Sequence, residues 1–267
     1  MHKTVKKGCR AIGPMVFVLF LSKDALAAGQ SPHRFSVGTG FDYSNGDYGD
    51  VVDTEIWYVP FRLRYEYDRW TARLTVPWLQ ITGPGNVAGG GEDITVLRSG
   101  ARVARTTESG LGDVSASLSY LFTPGRSFPD IEVTGKVKFP TADEDRGLGT
   151  GEFDYTIQAE AYKTFGAFTP SALAGYKFKG DPTGSDLNDV FLAGVAGDYR
   201  VNDWWSVGAT FDFQEATSDT SDDSLDLGGY VSWKVHPKWI VTGYGGVGLS
   251  DGSPDENVGV SIRYKFY

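Results

Sequence analysis

The sequence predicts an all-β fold: a closed antiparallel transmembrane β-barrel of about 12 strands, preceded by a cleaved N-terminal signal peptide. Three observations predict it. Apolar and polar residues alternate with a period of two almost throughout. The connections between alternating segments are short and long in turn. An apolar-aromatic stripe, Val260, Ile262, Tyr264 and Phe266, runs to the end of the chain.

The first residues stand apart from the fold. Lys3, Lys6, Lys7 and Arg10 make a basic start, Met15 to Leu21 (MVFVLFL) a short apolar run, and Ala25-Leu26-Ala27 a small-x-small cleavage signal. A helical span needs about 20 apolar residues, so this run is too short to cross a bilayer. Residues 1–27 are therefore read as a signal peptide and 28–267 as the barrel domain. Cys9, the single cysteine of the chain, lies within the signal and follows no apolar lipoprotein run. Loss of the signal leaves no thiol, which excludes disulfides and cysteine zinc sites.

Charge narrows the partners. The whole chain has 25 basic and 34 acidic residues. Removing the five basic residues and Asp24 of the signal leaves 20 against 33, a net charge of −13. No nucleic acid is expected as a partner. No later segment has 18 consecutive apolar residues, so a membrane-spanning form has to be a closed barrel, whose backbone is satisfied strand to strand.

The alternation runs as follows. Phe35 to Tyr43 opposes Ser36, Gly38, Gly40 and Asp42. Trp57 to Tyr67 opposes Arg62, Arg64 and Glu66; Trp70 to Trp78 opposes Thr71, Arg73 and Thr75. Val114 to Phe122 opposes three serines. Ile131 to Phe139 opposes Glu132, Thr134, Lys136 and Lys138; Phe153 to Ala161 opposes Asp154, Thr156, Gln158 and Glu160. In the second half Ala172 to Phe178 opposes Lys177 and Lys179, and Phe191 to Tyr199 opposes Asp198 and Arg200. Trp205 to Phe213 opposes Ser206, Thr210 and Asp212; Leu225 to Trp233 opposes Asp226, Tyr230 and Lys234. Val241, Val247 and Leu249 mark a glycine-rich strand, and Val258 to Phe266 opposes Ser261, Arg263 and Lys265.

A soluble sandwich with one wet face also alternates. Loop lengths separate the two. Connections near 67–69, 123–129, 165–168, 201–203 and 236–238 are short. Those at 44–54, 82–110, 140–151, 180–189, 214–224 and 250–257 are longer, polar and mostly acidic. Short periplasmic turns and long external loops produce this order in a transmembrane barrel. Aromatic residues at the ends of the apolar stripes, among them Trp57, Tyr67, Trp70, Trp78, Trp205 and Trp233, fit interfacial girdles.

Four stretches carry a family resemblance: VPWLQITGPGNV (76–87), GLGDVSASLSYLF (110–122), KVKFPTADEDRGLGTGEFDY (136–155) and the closing VSIRYKF (260–266). In these the chain resembles the outer-membrane family named after the MetA pathway of phenol degradation. The resemblance implies a barrel that passes small, often hydrophobic compounds, and it supplies no catalytic residues.

The chemistry of the residues agrees with a transporter-like reading and with no enzyme. His2 leaves with the signal, and His33 and His236 sit at the periplasmic rim, so no Ser-His or Asp-His pair stands on a strand. No metal site and no cofactor are expected. Gly83-Pro84-Gly85 and Gly147-Leu148-Gly149 precede no helix and read as loop punctuation. Charges on the strands cannot face lipid, where a Lys or Arg at the midplane costs about 2–4 kcal/mol. The candidate lumen-lining residues are thus Arg62, Arg64, Glu66, Arg73, Glu132, Lys136, Lys138, Asp154, Glu160, Asp212, Asp226, Lys234 and Arg263. They form either a salt-bridged filling or a narrow polar channel, with pairs such as Lys136 or Lys138 with Asp154. Pro60 and Pro77 lie on adjacent strands; each removes a ladder donor, leaving a lateral opening or an ordinary bulge as alternatives. Loop 82–110 carries Arg98, Arg102 and Arg105 and forms either an inward constriction or a cap.

The function expected is passive passage of small, hydrophobic or aromatic solutes through the cell outer membrane, reached by export through the periplasm. Expected partners are membrane lipid and lipopolysaccharide, the barrel-assembly machinery and the small-molecule solute. A non-conducting structural or surface-interaction barrel stays open as the alternative, and an outer-membrane enzyme as the weaker one.

Overall fold

A computed structural model describes residues 33–48, 52–96, 105–125 and 127–266. The expected signal peptide, Arg98 and Arg102 lie outside the described residues.

Strands β1 (His33–Gly46), β2 (Thr54–Tyr67) and β3 (Trp70–Gly83) are followed by a small hairpin, β4 (Val87–Ala88) and β5 (Thr95–Val96), around a 3-10 turn at Gly91–Asp93. The chain continues with β6 (Thr106–Leu111), β7 (Val114–Phe122), β8 (Asp130–Phe139), β9 (Asp154–Tyr162) and β10 (Phe168–Phe178). It ends with β11 (Val190–Arg200), β12 (Trp205–Gln214), β13 (Ser224–His236), β14 (Trp239–Gly248) and β15 (Glu256–Phe266).

Each wall strand pairs antiparallel with its neighbours in sequence, and β1 closes the ring on β15 from Phe35↔Phe266 to Asn45↔Glu256. The segments β6 and β7 both pair with β3 and are two halves of one wall strand, which makes a barrel of twelve. The short connections share one end of the barrel and the long ones the other. Closure leaves no sheet edge to be satisfied by lipid.

The apolar phase faces outward. On β11, Val195 is 55% exposed between Phe191 and Tyr199, whereas on β9 the opposite phase buries Asp154 and Glu160 to 2% and 5%. The glycine-rich strand near 241–249 follows the same rule: Trp239, Val241 and Val247 point out, while Ile240 and Thr242 are buried inside. Two aromatic belts ring the wall. At the short-turn end Trp205 stacks on Trp233 at 5.1 Å, Trp70 meets Tyr120 at 4.7 Å and Trp239 meets Tyr264 at 4.7 Å. At the other end Tyr43 meets Trp57 at 4.7 Å and Tyr176 meets Phe178 at 5.0 Å. Rings at both interfaces hold the wall at headgroup depth.

The strand expected to begin at Val114 begins at Thr106, so the long connection is 84–105 and not 82–110. Thr106 to Leu111 extends the wall beside the upper end of β3, from Gly83↔Thr106 to Trp78↔Leu111. Its polar sequence lacked the apolar alternation because it stands at the rim. Register then slips by one residue, to Thr75↔Ser115, and Gly112-Asp113 forms the bulge. Pro60 and Pro77 are direct cross-strand partners with both rings buried inside. The Pro77 carbonyl accepts from Gly112 N at 3.0 Å, so its missing N–H faces the bulge and disturbs nothing between β2 and β3.

Candidate functional site

The long-loop ends of β2 and β3 are apolar on both faces. Trp57, Val59 and Trp78 point outward, and Ile56, Tyr58, Leu79 and Ile81 point inward and are buried. A strand covered on both sides reads as a continuous apolar run, which IWYVP (56–60) and VPWLQI (76–81) are. What covers the inner face is the segment 84–96. Val87, Val96 and Ile94 pack there, joined by Leu148 and Tyr48 from two other loops. Each aliphatic side chain buried in this way contributes roughly 1.5–3 kcal/mol. Thr54 Oγ1 donates to Asn86 Oδ1 at 3.2 Å, tying the segment to the wall. Gly91, at φ +63°, lies so close to Tyr58 that a Cβ would fall 2.8 Å from its ring. A side chain at this position would lift the segment off the wall.

The other side of the same segment meets a cationic wall. Asp93 receives hydrogen bonds from Lys136 Nζ at 3.0 and 2.8 Å, and Lys177 Nζ stands 3.9 Å away. Thr95 Oγ1 accepts from Lys179 Nζ at 2.7 Å, and Thr217 Oγ1 donates to the Val96 carbonyl at 3.2 Å. Lys179 also pairs with Asp154 at 2.8 Å. Lys138 sits between Asp113 and Asp154, 3.1 Å from each, and donates to Thr150 at 2.8 Å. The bulge at Gly112-Asp113 aims this carboxylate inward; its Oδ1 accepts from the Thr141 and Ala142 amides at 3.0 Å. The segment 84–96 therefore spans the lumen from the apolar wall of β2 and β3 to the basic wall of β8 to β10.

Burial pushes the Asp93 carboxyl up, but the Lys136 and Lys177 ammoniums outweigh it and hold the group below the ordinary carboxylate range. A depressed carboxyl stabilises the folded form above its ordinary pKa, and that contribution is lost as pH falls toward the depressed value. Amide hydrogen exchange over 84–96, corrected for intrinsic rates, should be flat from pH 7 to 5 and accelerate below about pH 4. In Asp93→Asn the acid step should vanish.

The remaining candidate residues take these places. At the short-turn end Arg64 pairs with Glu66 at 2.6 Å, Arg34 with Glu66 at 3.7 Å, and Arg73 with Glu132 at 3.1 Å. Arg62, Lys234 and Arg263 lie on the inward phase, half-buried. Glu160 stands across from Glu132, and Asp212 across from Asp226, as cross-strand partners. Ser224 donates to Asp226 at 2.8 Å, and Tyr230 donates to Asp198 at 2.8 Å. The acidic residues of β11 to β13 thus lie on the strands that follow Lys177 of β10 around the wall. Arg105 is outside the segment that enters the barrel and pairs with Glu55 at the exposed rim. His33 bonds Tyr65 at 2.6 Å and stacks on Tyr67, while the His236 ring accepts from Lys238 N. Among the described residues no group of three or more His, Cys, Asp or Glu is arranged to hold a metal ion.

Between the inserted segment and the wall of β1, β2, β14 and β15 lies a small pocket, open in part to solvent. Ile56, Tyr58, Ile94 and Tyr244 line it, with Asp42 and Asn257 as polar members. Sequence reasoning missed Ile56, Tyr58, Leu79, Ile81 and Asp93. The apolar runs on both phases of β2 and β3, together with Gly89-Gly90-Gly91, were the signals that a segment lies flat inside the wall.

A family model described as "Putative MetA-pathway of phenol degradation" matches residues 41–266. The fold is similar to an outer membrane channel from Pseudomonas putida F1, with TM-score 0.70 and 16% identity over 91% of this chain and 98% of that one. It is also similar to the KdgM porin (TM-score 0.53, 12% identity, 87% of this chain and 99% of that one). The translocator domain of the autotransporter NalP from Neisseria meningitidis matches at TM-score 0.53 and 13% identity, over 91% of each chain. Comparison with characterised protein sequences finds no match. At these identities the likenesses establish the barrel fold.

Proposed function

The chain belongs to the outer-membrane family described by the MetA pathway of phenol degradation, and from that premise we propose that it is a passive channel for small, apolar or aromatic compounds. One observation carries the reading: the apolar and aromatic lining inside a lumen that is otherwise ionic. A pore for water and ions has no use for the apolar surface that Ile56, Tyr58 and Ile94 present around a small, partly open pocket. Such a lining binds an apolar solute weakly enough to release it, while the charged lumen around it stays wet.

Transport here is diffusion through a shaped lumen, with no bond made or broken. Export through the periplasm, removal of residues 1–27 and insertion by the barrel-assembly machinery belong to the same proposal, supported by the basic start, the apolar run and the closing aromatic strand. Lipid meets the outward face, and lipopolysaccharide the acidic long loops.

Planar-bilayer conductance tests the proposal. The unaltered barrel should carry small currents, and replacing 85–95 by a short Gly-Ser link should raise them several-fold and speed entry of small aromatics into proteoliposomes. The salt-bridged lumen and the inserted segment favour a second reading, a non-conducting structural barrel. Absence of current and of solute entry from both proteins would establish that reading and end the first.

A further inference from the structure

Asp93 reaches Lys136 and Lys177 on a segment that is no part of the wall. Both of its oxygens accept from Lys136 Nζ, at 3.0 and 2.8 Å, and Lys177 Nζ approaches one of them to 3.9 Å. The lysines are carried by β8 and β10, which the barrel holds rigidly in register through β9. The wall thus supplies fixed ammonium groups, and the carboxylate is the exchangeable member.

Taking Asp93 away removes a negative charge from among Lys136, Lys177 and Lys179. Loss of one charged partner from a mostly buried cluster is costly even where other contacts, such as Lys179 with Asp154, persist. An incoming carboxylate restores the balance one for one, whereas a neutral solute cannot. The next residue, Ile94, lines the apolar pocket beside Tyr58, Ile56 and Tyr244. The segment therefore covers a carboxylate site on one flank and an aromatic-lined cavity on the other. A small molecule carrying both groups would replace both of its contacts.

We infer that Lys136 and Lys177 form a binding site for the carboxylate of a small aromatic acid. Asp93 occupies this site in the resting barrel and yields it when such a solute arrives. The inference rests on the channel reading and narrows its substrate to solutes that carry a carboxylate.

The test compares benzoate with benzamide, which has the same ring and no charge. Calorimetry on the purified barrel in micelles should find that Asp93→Asn binds benzoate about tenfold more tightly than the unaltered barrel does, and about tenfold more tightly than it binds benzamide. Adding Lys136→Gln should abolish that preference. Equal binding of the two compounds, or a preference that survives Lys136→Gln, overturns the site. The unaltered barrel gives a second measurement: benzoate, and not benzamide, should accelerate hydrogen exchange over 84–96, and no acceleration also overturns it. Bilayer recordings of the same proteins separate this inference from its premise. Current without benzoate preference removes the site and keeps the channel. Benzoate preference without current or solute entry in any variant keeps the site and removes the channel.

Discussion

Replacing Lys138 with methionine should destabilise the barrel by about 3–5 kcal/mol, the cost of leaving a buried charge without its partner. Lys138 is 3% exposed and lies 3.1 Å from both Asp113 and Asp154, which are as deeply buried. Methionine keeps most of the volume and removes the charge, so Asp113 loses its lysine and Asp154 keeps Lys179 alone. The loss extends past one ion pair. Asp113 also holds the Thr141 and Ala142 amides, and Lys138 also holds Thr150, so the bulge and the 140–153 loop loosen together. Urea unfolding in lipid vesicles or micelles measures the change. A shift below about 1 kcal/mol would mean that water reaches the cluster and that it behaves as a surface pair.

Val195→Arg should cost about 2–4 kcal/mol, because this side chain faces the hydrocarbon near the middle of the wall. Val195 lies halfway along β11 between the outward rings of Phe191 and Tyr199, and its partners across the ladder are Ala172 and Phe211. The next residue makes the control. Ala196 points inward, on the same phase as Asp198, and an arginine there enters the ionic lumen. Ala196→Arg should cost clearly less than Val195→Arg in the same unfolding assay. The reverse order would mean that the apolar phase faces a protein interior and the polar phase faces solvent, as in a soluble sandwich.

Most of the wall was legible in the amino-acid sequence. Alternation with a period of two assigns each strand residue to a face, and alternating loop length assigns each turn to an end. The glycine-rich strand at 239–248 was less plain, since Gly243, Gly245 and Gly246 carry no side chain to mark a phase; Trp239 and Val247 settle it from the flanks. The start of the fourth wall strand was not legible. Thr106 to Leu111 owes its strand conformation to the β3 edge it completes, and its own composition resembles a loop.

Within the lumen, the charged residues were identifiable and their partners were not. Lys138 with Asp154 follows from two adjacent strands in register and was among the expected pairs. Lys136 with Asp93 joins residues 43 apart, Lys179 with Thr95 residues 84 apart, and Thr217 with Val96 residues 121 apart. Local patterning carries no information about such contacts, because they exist once the ring has closed and brought distant strands to face one another.

The sequence by itself determined the class of fold, the direction each strand side chain takes and the sign of the charges inside, since a bilayer punishes any other arrangement residue by residue. Tertiary structure alone decided what stands in the lumen. Closure of β1 on β15 turns the inner faces into a cavity, and the apolar patch on β2 and β3 then has to be covered. The segment 84–96 covers it because Gly90 and Gly91 let its backbone lie against Tyr58, and because Asp93 at its far side completes the lysines of β8 and β10.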